Sequence, residues 1–164
     1  SRYVGQFLGH VRRDGRAEGG AAFLDLVVFG GTDESATVTL TTAGAKFSSF
    51  ENPIFDQDSP ATTFSREEVE WFLGHVRKYR PSEYRLLAET AELVDEGRTR
   101  TEIDKALGEA HPTWSHYIET MRAGALGRLS DLGLLSRTRR GLEVDYHMTD
   151  LARELDLLDS AVLK

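Results

Sequence analysis

In the stretch "RLSDLGLLSRTRRGLEVDYHMTD", Arg128 to Asp150, the spacing of apolar residues changes abruptly. Before it, Trp114, Tyr117, Ile118, Met121, Ala125, Leu129 and Leu132 recur at the intervals of a helix with one buried side. Past a basic turn at Arg139, Arg140 and Gly141, Leu142, Val144, Tyr146 and Met148 alternate with polar residues, the period of a hairpin strand. "DLARELDLLDSAVLK" then returns to helical spacing. A long helix, a hairpin and a closing helix are therefore expected in direct succession.

The upstream sequence divides at residues 51–64, "ENPIFDQDSPATTF", whose prolines and Asp, Ser and Thr have the composition of a connecting loop. After it, "SREEVEWFLGHVRKY" opens with the capping-box pair Ser65 and Glu68. Its apolar stripe, Val69, Phe72, Leu73 and Val76, needs covering and is the candidate dimer interface. "PSEYRLLAETAELVDEG" has Pro81 at a helix start and a glycine stop, and "TRTEIDKALGEAH" reads as a shorter helix. Before the loop, residues 1–15 space Tyr3, Val4, Phe7, Leu8 and Val11 as a helix. "AAFLDLVVF" fits a helix end or a strand, "GGTDES" a turn, "ATVTLTT" a strand, and "TTAGAKFSSF" a short helix with a threonine cap.

From Pro81 onward the order is helix, helix, longer helix, hairpin, helix. This order, with the letters from Arg128 to Asp150, resembles the winged-helix branch of the helix-turn-helix proteins. Small bacterial and archaeal transcription regulators of the MarR, PadR and ArsR kind belong there. The likeness covers about the last half of the chain. It implies a recognition helix ending in the leucine-rich turn, a basic wing, and a threonine cap opening the last helix. "VTLTTAGAKF", Val38 to Phe47, looks like the counterpart of "YHMTDLAREL", Tyr146 to Leu155, and "SRYV" at Ser1 resembles "SHYI" at Ser115. The expected fold is mainly α with small β-hairpins (α+β), a tandem winged helix. Residues 1–50 would form a partial domain lacking its first two helices, 51–64 a linker, 65–80 a connecting or dimerisation helix, and 81–164 a winged-helix domain. "FLGHVR" occurs at Phe7 to Arg12 and again at Phe72 to Arg77, in a different register from that alignment. Duplication and convergence of two amphipathic helices both account for it.

A net charge of −7 is unpromising for gripping phosphates, but the charge is uneven. Acidic residues gather at Asp56, Asp58, Glu67, Glu68 and Glu70 and at Glu154, Asp156 and Asp159, while "RTRRG" is wholly basic. A turn needs glycine but not arginines, so Arg137, Arg139 and Arg140 are candidates for backbone or minor-groove contact. On the supposed recognition helix Ser115, His116, Thr120 and Arg122 lie off the apolar stripe and carry donors for phosphates or bases. Arg98 and Arg100 could add phosphate contacts. The corresponding turn of the first half, "GGTDES", is acidic, which suits dimerisation or a protein partner better than DNA.

Enzyme chemistry finds no motif. There is no cysteine, no H-E-x-x-H pair, no P-loop, no nucleophile elbow and no dinucleotide fingerprint, so no catalytic residue, metal or cofactor is expected. No apolar run approaches the roughly 20 residues of a membrane span, and a soluble, cytoplasmic, non-membrane protein is expected. The reading is a double-stranded DNA-binding winged-helix protein, a homodimeric transcriptional regulator. The rival is a tandem winged-helix protein-interaction module within a DNA-associated or chromosome-partition assembly.

Overall fold

The computed structural model describes residues 10–11, 17–30, 37–53, 64–114, 116–141 and 143–155. The chain separates into two compact units, Ser1–Glu51 and Asn52–Lys164. The described residues are mainly helical, with small two-stranded antiparallel sheets.

In the first unit β1 (His10–Val11) pairs with β2 (Ala17–Glu18). Then come α1 (Gly20–Phe23), β3 (Val27–Gly30), β4 (Thr37–Leu40) and α2 (Thr42–Phe47). The helix expected over residues 1–15 is corrected at His10 and Val11, where ladder bonds to Ala17 and Glu18 hold the backbone extended. Residues 1–9 and 12–16, with "SRYV", lie outside the described residues, as does the "GGTDES" turn beyond Gly30. The shared letters His-Val of "FLGHVR" therefore take two conformations, strand at His10–Val11 and helix at His75–Val76. "AAFLDLVVF" is both of its alternatives: helix up to Phe23, strand from Val27, with Asp25 between them at φ 56°, a left-handed position that aspartate tolerates.

The second unit contains α3 (Arg66–Tyr79), α4 (Pro81–Asp95), α5 (Arg100–Ala110), a 3-10 turn (Pro112–Trp114) and α6 (Ile118–Asp131). The hairpin β5 (Leu135–Arg140) and β6 (Glu143–Met148) and the short α7 (Asp150–Glu154) complete it. Helix starts follow local chemistry. Ser65 and Glu68 form a reciprocal capping box, Thr99 and Glu102 form another, and Pro81 is the first residue of α4. Glu68 is buried yet satisfied, because it also accepts from Asn52 Nδ2 at 2.8 Å. The expected linker thus has one end, Asn52, tied to α3, and residues 54–63 lie outside the described residues.

α4 is the hub: α3, α5, α6 and β6 all pack on it. Leu86 and Leu87 of α4, Ile103 and Leu107 of α5, Leu126 and Leu129 of α6, and Leu134 are all essentially inaccessible to solvent. Each such side chain stabilises the fold by about 1.5–3 kcal/mol through burial. Val69, Leu73 and Val76 of α3 are buried too, and Phe72 is half-buried. This corrects their assignment as a dimer interface. The stripe does need covering, and α4 of the same unit covers it.

One hydrogen-bonded device occurs in both units, from the end of a helix, through a hairpin, to a threonine cap. In the first, Leu26 N donates to Ala21 O (2.9 Å) and Asp25 N to Ala22 O (3.0 Å). In the second, Leu134 N donates to Leu129 O (2.8 Å) and Gly133 N to Ser130 O (3.0 Å), with Gly133 at φ 70°. Both are the helix stop made by one left-handed residue. After the hairpin, Thr41 N donates to Leu26 O and Thr149 N to Leu134 O. The Thr41 hydroxyl donates to Asp25 O and accepts from Gly44 N. The Thr149 hydroxyl donates to Gly133 O and accepts from Ala152 N. The strand registers match as well, Val27 opposite Leu40 and Leu135 opposite Met148, with no insertion between the copies. Thr149→Ala is expected to lower the stability of the second unit by about 0.5–2 kcal/mol, the range for loss of an N-cap, with Thr149→Ser close to wild type in urea denaturation.

Candidate nucleic-acid interface

The route into α6 is set by a ring stack. His111 caps the end of α5, contacts Glu89 Oε2 through Nε2, and stacks on Trp114 with ring centroids 3.8 Å apart. Trp114 N donates to His111 O and Tyr117 N to Trp114 O, so two tight turns precede the helix, which starts only at Ile118. The helical spacing expected to include Trp114 and Tyr117 is corrected here, since these turns engage the Trp114 and Tyr117 amides in place of a continuous helix. His116 consequently sits in an exposed turn ahead of α6, Ser115 lies outside the described residues, and Tyr117, expected on the buried side, is 67% exposed.

On α6 itself Ala125, Leu126 and Leu129 face the core, while Glu119, Thr120, Ala123 and Gly127 face solvent. Thr120 is thus presented as the sequence suggests. Arg122 is not: its Nε lies 2.6 Å from Asp104 Oδ1 of α5, with the two side chains only 14% and 22% exposed. Arg128 of α6 reaches Glu83 of α4 at 2.7 Å. Both arginines pin α6 to its neighbours, and Arg122 is corrected from a base-reading candidate to a positioning residue. Its place one turn after Ile118 and just before Ala125, at the edge of the apolar stripe, is the signal for this. Arg122→Ala should cost about 1–3 kcal/mol by leaving Asp104 without its charged donor, measured as a shift in the urea midpoint.

In the hairpin, directly opposed residues share a face. Leu135 with Met148, Arg137 with Tyr146, and Arg139 with Val144 therefore form one face, and Thr138 with Asp145 part of the other. Leu135 and Met148 close over the core, whereas Arg137 and Arg139 project beyond its edge and are exposed. The residues opposite them, Tyr146 and Val144, are half-buried. Arg139 Nε donates to Gly141 O at 2.9 Å. Arg140 ends β5 in register with Glu143, and Gly141 takes φ 66° in the turn. The hairpin expected from the sequence forms, with β5 packed on α6.

A groove of about 510 Å³ opens between the end of α4, Arg98 to Thr101 and β6. Arg98 pairs with Glu96 at 3.0 Å and Arg153 with Asp95 at 3.4 Å, which offsets much of the positive charge there. At the start of α5 the Glu102 carboxylate accepts from the Thr99 backbone N–H and hydroxyl, with the Arg98 charge nearby. These hold its pKa below the ordinary glutamate value. A lowered folded-state pKa means that this capping contribution is complete above the unfolded glutamate pKa of about 4.3 and is lost as pH falls through the folded value. An NMR titration should place the Glu102 midpoint below that of the solvated glutamates, with the Thr99 amide following the same curve.

No protein-family model, no curated protein and no solved structure matches this chain. Among the described residues no group of three or more histidines and carboxylates is arranged to hold a metal ion. No helix among them is long and apolar enough to cross a membrane.

Proposed function

We propose that this protein binds double-stranded DNA through its second unit and acts as a transcriptional regulator of the winged-helix kind. The observation that carries the reading is the exposed arginine pair on the β5–β6 hairpin, Arg137 and Arg139, next to a helix whose start presents Thr120. In this arrangement α6 enters the major groove with Thr120 and His116 near its leading edge, and the hairpin lies against the backbone or minor groove. Net acidity elsewhere limits non-specific attraction, so binding would concentrate at the hairpin. The regulatory role itself rests on the resemblance of the sequence from Pro81 onward. Homodimerisation belongs to the same proposal, on a surface other than the α3 stripe.

The test is fluorescence anisotropy of a labelled random duplex titrated with the whole chain at several salt concentrations. Saturable binding that weakens steeply with salt is expected. Absence of binding at low salt would exclude the reading.

A further inference from the structure

Two large rings of the second unit stand in solvent. Tyr79 is 48% exposed, but its ring is flanked by the His75 ring and the Lys78 ammonium. Tyr117 is 67% exposed, and its ring meets no aromatic or cationic side chain among the described residues. Its backbone is nonetheless fixed. Tyr117 N donates to Trp114 O at 2.7 Å and Tyr117 O accepts from Met121 N at 2.8 Å, so the residue joins the 3-10 turn to α6. An uncovered ring on a fixed mount loses little conformational freedom when something covers it. Tyr117 also stands three residues before Thr120, the spacing at which helix side chains are neighbours. Past Thr120 the next exposed positions of α6 are the small residues Ala123 and Gly127, followed by Arg128, which is engaged by Glu83. Side chains able to read a ligand are therefore concentrated at the leading end of the helix, in His116, Tyr117, Glu119 and Thr120.

We propose that the Tyr117 ring reads the 5-methyl group of a thymine, which makes Tyr117 a specificity-determining residue. This rests on the reading that α6 enters the major groove of duplex DNA. Base edges there present donors and acceptors, and the thymine methyl is the apolar group among them. His116, Glu119 and Thr120 carry polar atoms suited to base edges or phosphates. The face of the Tyr117 ring, in contrast, has no donor or acceptor to leave unpaired against a methyl. Contact between them buries apolar surface on both sides, which is favourable and involves no charge. The preference is for thymine over cytosine, whose C5 lacks the methyl. It adds to the salt-dependent grip of the hairpin without changing the salt slope, because no counterion is released.

The test selects a preferred duplex from a random pool with the whole chain, then replaces each thymine in turn by deoxyuridine, which removes the methyl and keeps base pairing. At one thymine position or more, the wild type is expected to bind the deoxyuridine duplex about fourfold more weakly, the equivalent of roughly 0.8 kcal/mol for one buried carbon group. Tyr117→Ala should bind the two duplexes equally. Tyr117→Phe should keep the fourfold difference, because it retains the ring and loses only the hydroxyl. If Tyr117→Ala fails to fold, Tyr117→Ser takes its place: Tyr117 is the N-cap of α6 without a side-chain cap bond, and serine is favoured there. Equal binding of every deoxyuridine duplex and its thymine parent by the wild type would overturn the proposal while DNA binding stands. So would a penalty undiminished in the folded Tyr117→Ala or Tyr117→Ser variant, a penalty lost in Tyr117→Phe, or selection that yields no sequence preference. Absence of binding to any duplex at low salt would overturn the proposal together with the DNA-binding reading.

Discussion

Replacing Leu129 by alanine is expected to lower the stability of the second unit by about 2–5 kcal/mol, the range for a large aliphatic side chain removed from a packed core. Leu129 is fully buried on α6, the helix that meets α4, α5 and β5. The loss combines the transfer free energy of the removed methyl and methylene groups with the contacts forfeited around the cavity left behind. Since whole domains are stable by only about 5–15 kcal/mol, the variant should unfold at a much lower urea concentration or fail to accumulate folded. Thr120→Ala on the exposed side of the same helix should stay within about 0.5 kcal/mol of wild type. Equal urea midpoints for the two variants would mean that α6 does not pack through its Leu126 and Leu129 side.

Removing the arginines of the second hairpin, as Arg137→Ala, Arg139→Ala and Arg140→Ala together, should reduce the slope of log affinity against log salt by about 2–3. Each lost phosphate contact removes about one counterion from the release term. The weakening should be similar for unrelated duplex sequences, because phosphate contacts position a protein without reading bases. Stability should change little, since Arg137 and Arg139 are exposed and the core below the hairpin is closed by Leu135 and Met148. Thr120→Ala is the complementary change, and altered preference among sequences is the outcome a base-edge contact predicts. An unchanged salt slope in the triple variant would remove the hairpin from the interface. Arg122→Ala separates the two kinds of arginine: its effect belongs in the urea curve, through Asp104.

Much of the fold is legible locally. Ser65 with Glu68, Pro81, Thr41 and Gly141 announce the boundaries that the structure shows, because caps and turns are satisfied by residues adjacent in sequence. The threonine-capped return at Val38 to Phe47 and Tyr146 to Leu155 is likewise visible as letters, and the hydrogen bonds of Thr41 and Thr149 repeat one another. The candidate interface is legible only in part. Arginines crowding a turn are apparent in the string, but the pairing of Arg122 with Asp104 joins separate helices, and α6 starts late, after the turns in which His111 stacks on Trp114.

By itself, the sequence determined the capped boundaries, such as the starts of α3 and α4, which stripes are apolar, and where basic charge collects, since these depend on neighbours within a turn or a strand pair. Only the tertiary structure decided what each apolar face meets. Val69, Leu73 and Val76 have the same helical spacing whether a second subunit or α4 covers them, and α4 does. Met148 and Leu40 occupy the same register on matching hairpins, yet one is buried beneath a helix and the other half exposed. Burial depends on residues remote in the chain, so periodicity shows that a face needs a partner but not which partner it has.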